Sequence, residues 1–97
     1  MKYIAQINWI KPEDGGRIGC IPFNTDKYAP QIRFKGNEGN WSLVVDNYER
    51  IDNSTTLAKV YYLNSKRAPN NLFVGLDFDL YEGFKKVAFG KCIGKIK

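Results

Sequence analysis

The acidic side chains of "LDFDLYEG" (76–83) are the first residues in this sequence able to do chemistry. Asp77 and Asp79 stand two apart, and Glu82 follows just beyond them. Paired carboxylates can share the work of general acid and general base. An i, i+2 pair on a half-exposed strand more commonly lines a solvated face. Nothing adds a nucleophile to them: no Ser, Thr or Cys sits beside a base in a recognisable motif. The chain has no histidine, which removes Ser-His-Asp and Cys-His triads and His-ligated zinc. Cys20 and Cys92 lack metal-ligand spacing. Both read as small, half-buried apolar residues of a reducing compartment, with a Cys20–Cys92 disulfide left open. The expectation is therefore no catalytic residue, no metal ligand and no cofactor.

Two further features could contact a ligand without catalysing anything. "EDGGR" (13–17) has the double glycine of a phosphate-binding loop but lacks the GxxxxGK[ST] spacing and a following helix. It reads better as a turn, formed by Gly15 and Gly16, whose backbone can approach a ligand closely beside Arg17. Tyr28, Tyr48, Tyr81 and Phe84 are aromatics that, with neighbouring lysines, would suit a single nucleic-acid strand. Packing in a core or at its rim accounts for them equally well.

The elements that must position these residues are strands. Residues 2–10 alternate with period two, Tyr3, Ala5, Ile7 and Trp9 against Ile4, Gln6, Asn8 and Ile10. "PQIRF" (30–34), "WSLVV" (41–45), "LAKVYYL" (57–63), "LFVGLDFDLY" (72–81) and the tail 85–96 read as five more strands. In 72–81, Leu72, Val74, Leu76, Phe78 and Leu80 share one face. In the tail, Val87, Phe89, Lys91, Ile93 and Lys95 share one side, and Ala88, Gly90, Cys92, Gly94 and Ile96 the other. "KPEDGGR" (11–17), "KGNEGN" (35–40), "NYERIDNST" (47–55) and "NSKRAPNN" (64–71) read as polar turns and loops. No segment has a convincing helical period. Six strands separated by turns predict one all-β domain over 1–97, a small barrel or sandwich.

The bulk numbers fit that picture. The chain has 97 residues, 43% hydrophobic and 26% charged, the profile of a globular domain with a modest core. The net charge is +5, and residues 51–97 carry 8 basic against 4 acidic groups. A basic balance favours nucleic acid or acidic protein partners. No apolar run reaches the roughly 20 residues that span a bilayer, and "MKYIAQINWI" is too short and too polar for a signal peptide. No membrane association and a cytoplasmic location are expected. On that basis Asn40-Trp41-Ser42 and Asn53-Ser54-Thr55 are chance matches to the glycosylation pattern.

Taken together, Asp14-Gly15-Gly16-Arg17, Pro22-Phe23, Tyr28-Ala29-Pro30-Gln31-Ile32-Arg33-Phe34 and the closing stretch Gly75 to Ile96 resemble the third, C-terminal domain of translation elongation factor Tu. The matches in the closing stretch are Gly75-Leu76, Phe78, Leu80, Glu82-Gly83, Lys85, Val87 and Gly90. The order is that of the family, and the resemblance covers nearly the whole chain. Two extra residues within 18–21, Phe84 for a family glycine, Asp77 for a family arginine and the missing Pro-Gly-Asp turn depart from it.

The resemblance implies a six-stranded antiparallel β-barrel with no catalysis of its own. It also implies a stand-alone binding module facing an RNA backbone, as of tRNA, or a translation-related protein. The positions carried over to such contacts are Arg17, Gln31, Glu82 and Gly83. Lys85 stands for a family arginine, keeping the charge without the planar fork. Lys35, Lys86 and Lys91 complete the set of expected phosphate contacts, and Pro30 is expected to shape the adjoining turn. Two other readings stay open. The chain could mimic the factor to occupy a partner protein, as an immunity or regulatory protein would against a toxin. It could also be a small barrel enzyme using Asp77, Asp79 and Glu82. The oligomeric state stays open as well.

Overall fold

Alternation along β1 (Lys2–Trp9) turns Tyr3, Ala5, Ile7 and Trp9 to one side, and all four are buried. The computed structural model describes residues 1–37 and 39–97. It continues through β2 (Gln31–Arg33), β3 (Trp41–Asp52), β4 (Thr55–Tyr62), β5 (Asp77–Glu82) and β6 (Lys85–Ile96). A single turn of 3-10 helix, Pro12–Asp14, follows β1. Glu38, inside the loop expected over 35–40, lies outside the described residues.

The six strands close into an antiparallel barrel in the order β1-β4-β3-β2-β5-β6, with β6 returning to β1. Closure leaves no long unpaired edge. The interior is filled by Ile7, Ile32, Leu43, Val45, Val60, Phe78, Leu80, Val87 and Cys92, among others. No described helix is long and apolar enough to cross a membrane.

Several expected boundaries are corrected. The polar run 47–55 is not a loop: β3 continues to Asp52 and pairs with β4 as far as Asp52 opposite Thr55. The strand expected over 72–81 begins only at Asp77. The chain turns before it, where the Leu76 N–H donates to the Phe73 carbonyl at 3.1 Å, so Val74 is 55% exposed instead of facing the core. In β6 the two-faced sorting breaks at Val87. Tyr81 pairs with Lys86 and Leu80 with Ala88, leaving Val87 as an extra residue. Val87 and Ala88 are consequently both buried, although strict alternation sends them to opposite faces. A second extra residue, Ile93, lies between the pairs Ala5–Cys92 and Ile4–Gly94. Bulges of this kind bend and twist a strand, which a six-stranded barrel needs in order to close.

Both cysteines are free. Cys92 is fully buried, and burial pushes its thiol up to about 11. Cys20 is exposed, against the half-buried position expected of it.

Candidate functional site

The double-glycine loop and the β5–β6 turn meet at one end of the barrel. After β1 the chain winds through the 3-10 turn, where Gly15 and Gly16 donate backbone hydrogen bonds to the carbonyls of Pro12 and Lys11 at 3.1 and 2.9 Å. Gly16 packs so tightly against the preceding backbone that a Cβ there would sit 1.8 Å from the Ile10 carbonyl oxygen. Only glycine fits such a contact. The β5–β6 turn pairs Glu82 with Lys85, and at its apex Gly83 takes φ +63°, a left-handed conformation that suits glycine.

Arg17 crosses the gap between the two. Its Nε donates to Glu82 Oε2 at 2.8 Å, and its Nη1 donates to the Cys20 carbonyl. The same Glu82 oxygen accepts the Tyr28 hydroxyl at 2.6 Å. The guanidinium lies over the Tyr28 ring, 5.3 Å from its centroid, and that ring packs at a tilt against Trp9, 5.9 Å away. Burial first, and then the Glu82 carboxylate, push the Tyr28 phenol well above the usual tyrosine range, while Arg17 works the other way. On the far side, Lys85 Nζ reaches the Gly16 carbonyl at 3.4 Å.

Next to this cluster, β2, β5 and β6 present an outer face. Gln31 is paired with Tyr81, Arg33 with Asp79, and Asp79 with Phe89. Among the described residues, both aspartates of this face have a lysine beside them. Lys86 Nζ lies 3.1 Å from Asp79 and Lys91 Nζ 3.8 Å from Asp77. Arg33 stacks on Tyr81 with its guanidinium carbon 4.1 Å from the centroid, and Lys86 lies 5.7 Å from the Phe89 ring centre. A groove of about 540 Å³ runs here between Arg33, Lys35, Asp79, Lys86 and Phe89.

The structure thus brings Gly16, Arg17, Glu82, Gly83 and Lys85 together, with Gln31 and Lys86 on the adjoining face and Lys35 at the groove. Pro30 lies outside any turn. It is buried, and its carbonyl accepts from the Leu43 N–H at 2.8 Å, which prolongs the pairing of β2 with β3. Asp77 and Asp79 face outward, with the Asp77 side chain 78% exposed. Among the described residues, no group of three His, Cys, Asp or Glu side chains is placed to hold a metal.

Other participants were not among the expected contacts. Arg33 and Phe89 reach the face through alternation alone. Arg50 and Asn53 arrive through the unexpected length of β3 and its hairpin. Asn47, fully buried, belongs to a chain of hydrogen bonds. Trp9 Nε1 donates to Thr56 Oγ1 at 2.9 Å, Thr56 donates to Asn47 Oδ1 at 2.7 Å, and Asn47 Nδ2 donates to the Pro22 carbonyl at 2.8 Å. A polar residue followed by a Tyr in a presumed loop gave no hint of this.

Comparison with models of known protein families finds no match, and comparison with curated proteins finds none either.

Proposed function

We propose that this chain is a non-catalytic docking module that presents the Arg17–Glu82 end and the adjoining β2–β5–β6 face to a protein partner. The observation that carries this reading is the internal pairing of the cations. Arg17, Lys86 and Lys91, three of the expected phosphate contacts, each hold a carboxylate of the same surface. A phosphodiester backbone approaching there would meet Asp77, Asp79 and Glu82 as well as the cations, and like-charge juxtaposition opposes binding. A mixed-charge face with exposed aromatics suits a protein surface instead. Phe84, at the tip of the turn, is 100% exposed, and Ile18, beside Arg17 in sequence, is 80% exposed. They are apolar anchors of the kind that fill pockets on a partner.

The resemblance of the Gly-Gly-Arg and Glu-Gly segments to the third domain of elongation factor Tu supports a class of partner: a protein that engages that domain and that a free copy could occupy. A regulator, or a toxin neutralised by its immunity protein, fits the description. The RNA reading rests on the net charge and on Lys35 and Lys85, neither of which has a carboxylate within 4.0 Å among the described residues.

The deciding experiment compares tagged wild-type chain with Phe84→Asp in pull-downs from the source cell after nuclease treatment. The expected result is one stoichiometric protein that survives nuclease and is lost with Phe84→Asp. Recovery of tRNA alone, together with tRNA filter binding that falls with salt and with Lys85→Glu plus Lys86→Glu, would transfer the function to RNA.

A further inference from the structure

Beside Arg17, the 11–21 loop and the β3–β4 hairpin border a cleft of about 250 Å³. Its walls are Trp9, Pro12 and Ile21, and its polar lining is Lys11, Arg17 and Arg50 with Asn53 and Ser54. Lys11, Arg17 and Arg50 all line this small space, and no carboxylate lines it among the described residues. Asp52, next to Asn53 in sequence, is engaged in the hairpin itself. Its carboxylate accepts the Ser54 N–H at 2.9 Å, the leading cause of a pKa held below the usual aspartate value.

The two arginines are held before any ligand arrives. Arg17 is fixed by Glu82 and by the Cys20 carbonyl, and its Nη2 makes no hydrogen bond among the described residues. Arg50 lies over the Phe23 ring, 5.2 Å from its centroid, and its Nη1 points to the Asn53 carbonyl at 3.5 Å. Guanidinium groups held in place match the oxygens of a phosphoryl group, which carries about −1.5 to −2 charge near neutral pH. The cleft is smaller than the roughly 300–1,000 Å³ that buries a drug-sized ligand, so its occupant is a small anionic head and not a whole cofactor.

We infer that this cleft binds a phosphoryl group, free or carried by a small ligand, through Lys11, Arg17 and Arg50. The inference goes beyond the docking reading, because Lys11, Arg50 and Asn53 take no part in that face and can be changed without touching it.

The test is a nuclear magnetic resonance titration of isotope-labelled chain at constant ionic strength, with inorganic phosphate, adenosine monophosphate and adenosine as separate probes. Saturable shifts are expected at the amides of Gly19, Cys20, Asn53 and Ser54 with both phosphate-bearing probes and not with adenosine. Arg50→Gln and Lys11→Gln, both at exposed positions, should each weaken binding about tenfold while leaving the remaining spectrum in place. Phosphate should also slow alkylation of the exposed Cys20, with buried Cys92 as the internal control. Tighter binding of adenosine monophosphate than of phosphate identifies a ligand-borne phosphoryl group, and equal binding identifies the free anion. No saturable shift with either probe, binding of adenosine as strong as of its monophosphate, or unchanged affinity in Arg50→Gln overturns the assignment.

Discussion

Tyr28 and Glu82, 54 residues apart in the chain, are joined by a 2.6 Å hydrogen bond to the oxygen that also receives Arg17. One carboxylate oxygen therefore ties three segments together: the double-glycine loop, the stretch leading into β2 and the β5–β6 turn. Arg17 neutralises its charge, and the Tyr28 hydroxyl fills the remaining acceptor direction.

This relationship predicts an alkaline weakness. Burial above all raises the pKa of the folded Tyr28 phenol above the ordinary tyrosine value of about 10. Above about pH 10 the unfolded chain loses this proton while the folded chain keeps it, so stability falls as pH rises. Below that range the contribution is fully present. Urea unfolding of Tyr28→Phe should show a shallower decline from about pH 9 to about pH 11 than wild type. The slope should not vanish, because burial also raises Tyr61 and Tyr62. Identical slopes in the two proteins would mean that Tyr28 is not the titrating group.

Arg17→Lys should fail to replace Arg17. An ammonium cannot reach Glu82, the Cys20 carbonyl and the Tyr28 ring at once, whereas the planar guanidinium does so. Because Arg17 and Glu82 remain 24% and 38% exposed, the ion pair itself contributes little, about 0.2–1 kcal/mol. The expected outcome is a small loss of stability in urea, similar for Arg17→Lys and Arg17→Gln, with a much larger loss of partner binding. Full stability and full binding in Arg17→Lys would show that only the charge matters.

How much of this was legible from residues alone depended on the range of the interaction. The alternation of β1 and the apolar face of β5 were plain, because period two survives wherever one side of a strand is buried. The strand expected from Leu72 was misjudged, since a turn at Phe73–Leu76 happens to continue the same alternation. The second half of β3 was hidden for the opposite reason: Tyr48, Glu49, Arg50, Ile51 and Asp52 are all exposed, so no apolar face marks them as a strand. Val87 escaped because a bulge changes phase without any sign in composition. At the site, Arg17 and Glu82 stood out separately through the resemblance. That Arg17 pairs with Glu82, 65 residues away, and so meets the docking end as half of an ion pair, required the closed barrel.

Gly16→Ala tests the floor of the site. The new Cβ would fall 1.8 Å from one backbone oxygen and 2.4 Å from its carbon, atoms that cannot swing aside as a flexible side chain would. The loop must move as a whole, taking Arg17 from Glu82 and the Gly16 carbonyl from Lys85. A loss of about 3 kcal/mol is expected, at the top of the usual range for a single substitution. Gly15→Ala, where no atom lies within 4 Å, meets only the backbone strain of φ +88° and should cost about 1–2 kcal/mol. Chemical unfolding of both variants checks the order, and equal losses would argue against the close approach at Gly16.

The buried chain Trp9–Thr56–Asn47–Pro22 gives the last prediction, and the most demanding one. Thr56→Val removes a hydroxyl that accepts from the Trp9 indole and donates to Asn47, leaving both partners buried and unsatisfied. Asn47→Ala strands the Thr56 hydroxyl proton and leaves the half-buried Pro22 carbonyl without its partner. Each single change should cost about 1–3 kcal/mol, the penalty of an unmade buried hydrogen bond. The double variant should cost clearly less than the sum, because the Thr56–Asn47 bond is lost only once. Asn47→Ala should also loosen the segment around Phe23 and Asn24, which Asn47 holds through its side chain and through its own carbonyl, 2.8 Å from the Asn24 N–H. Urea unfolding of the four proteins gives the coupling, and amide exchange at Asn24 reports the loosening. Strict additivity would mean that the two side chains act independently, and that the 20s segment is anchored by the barrel backbone alone.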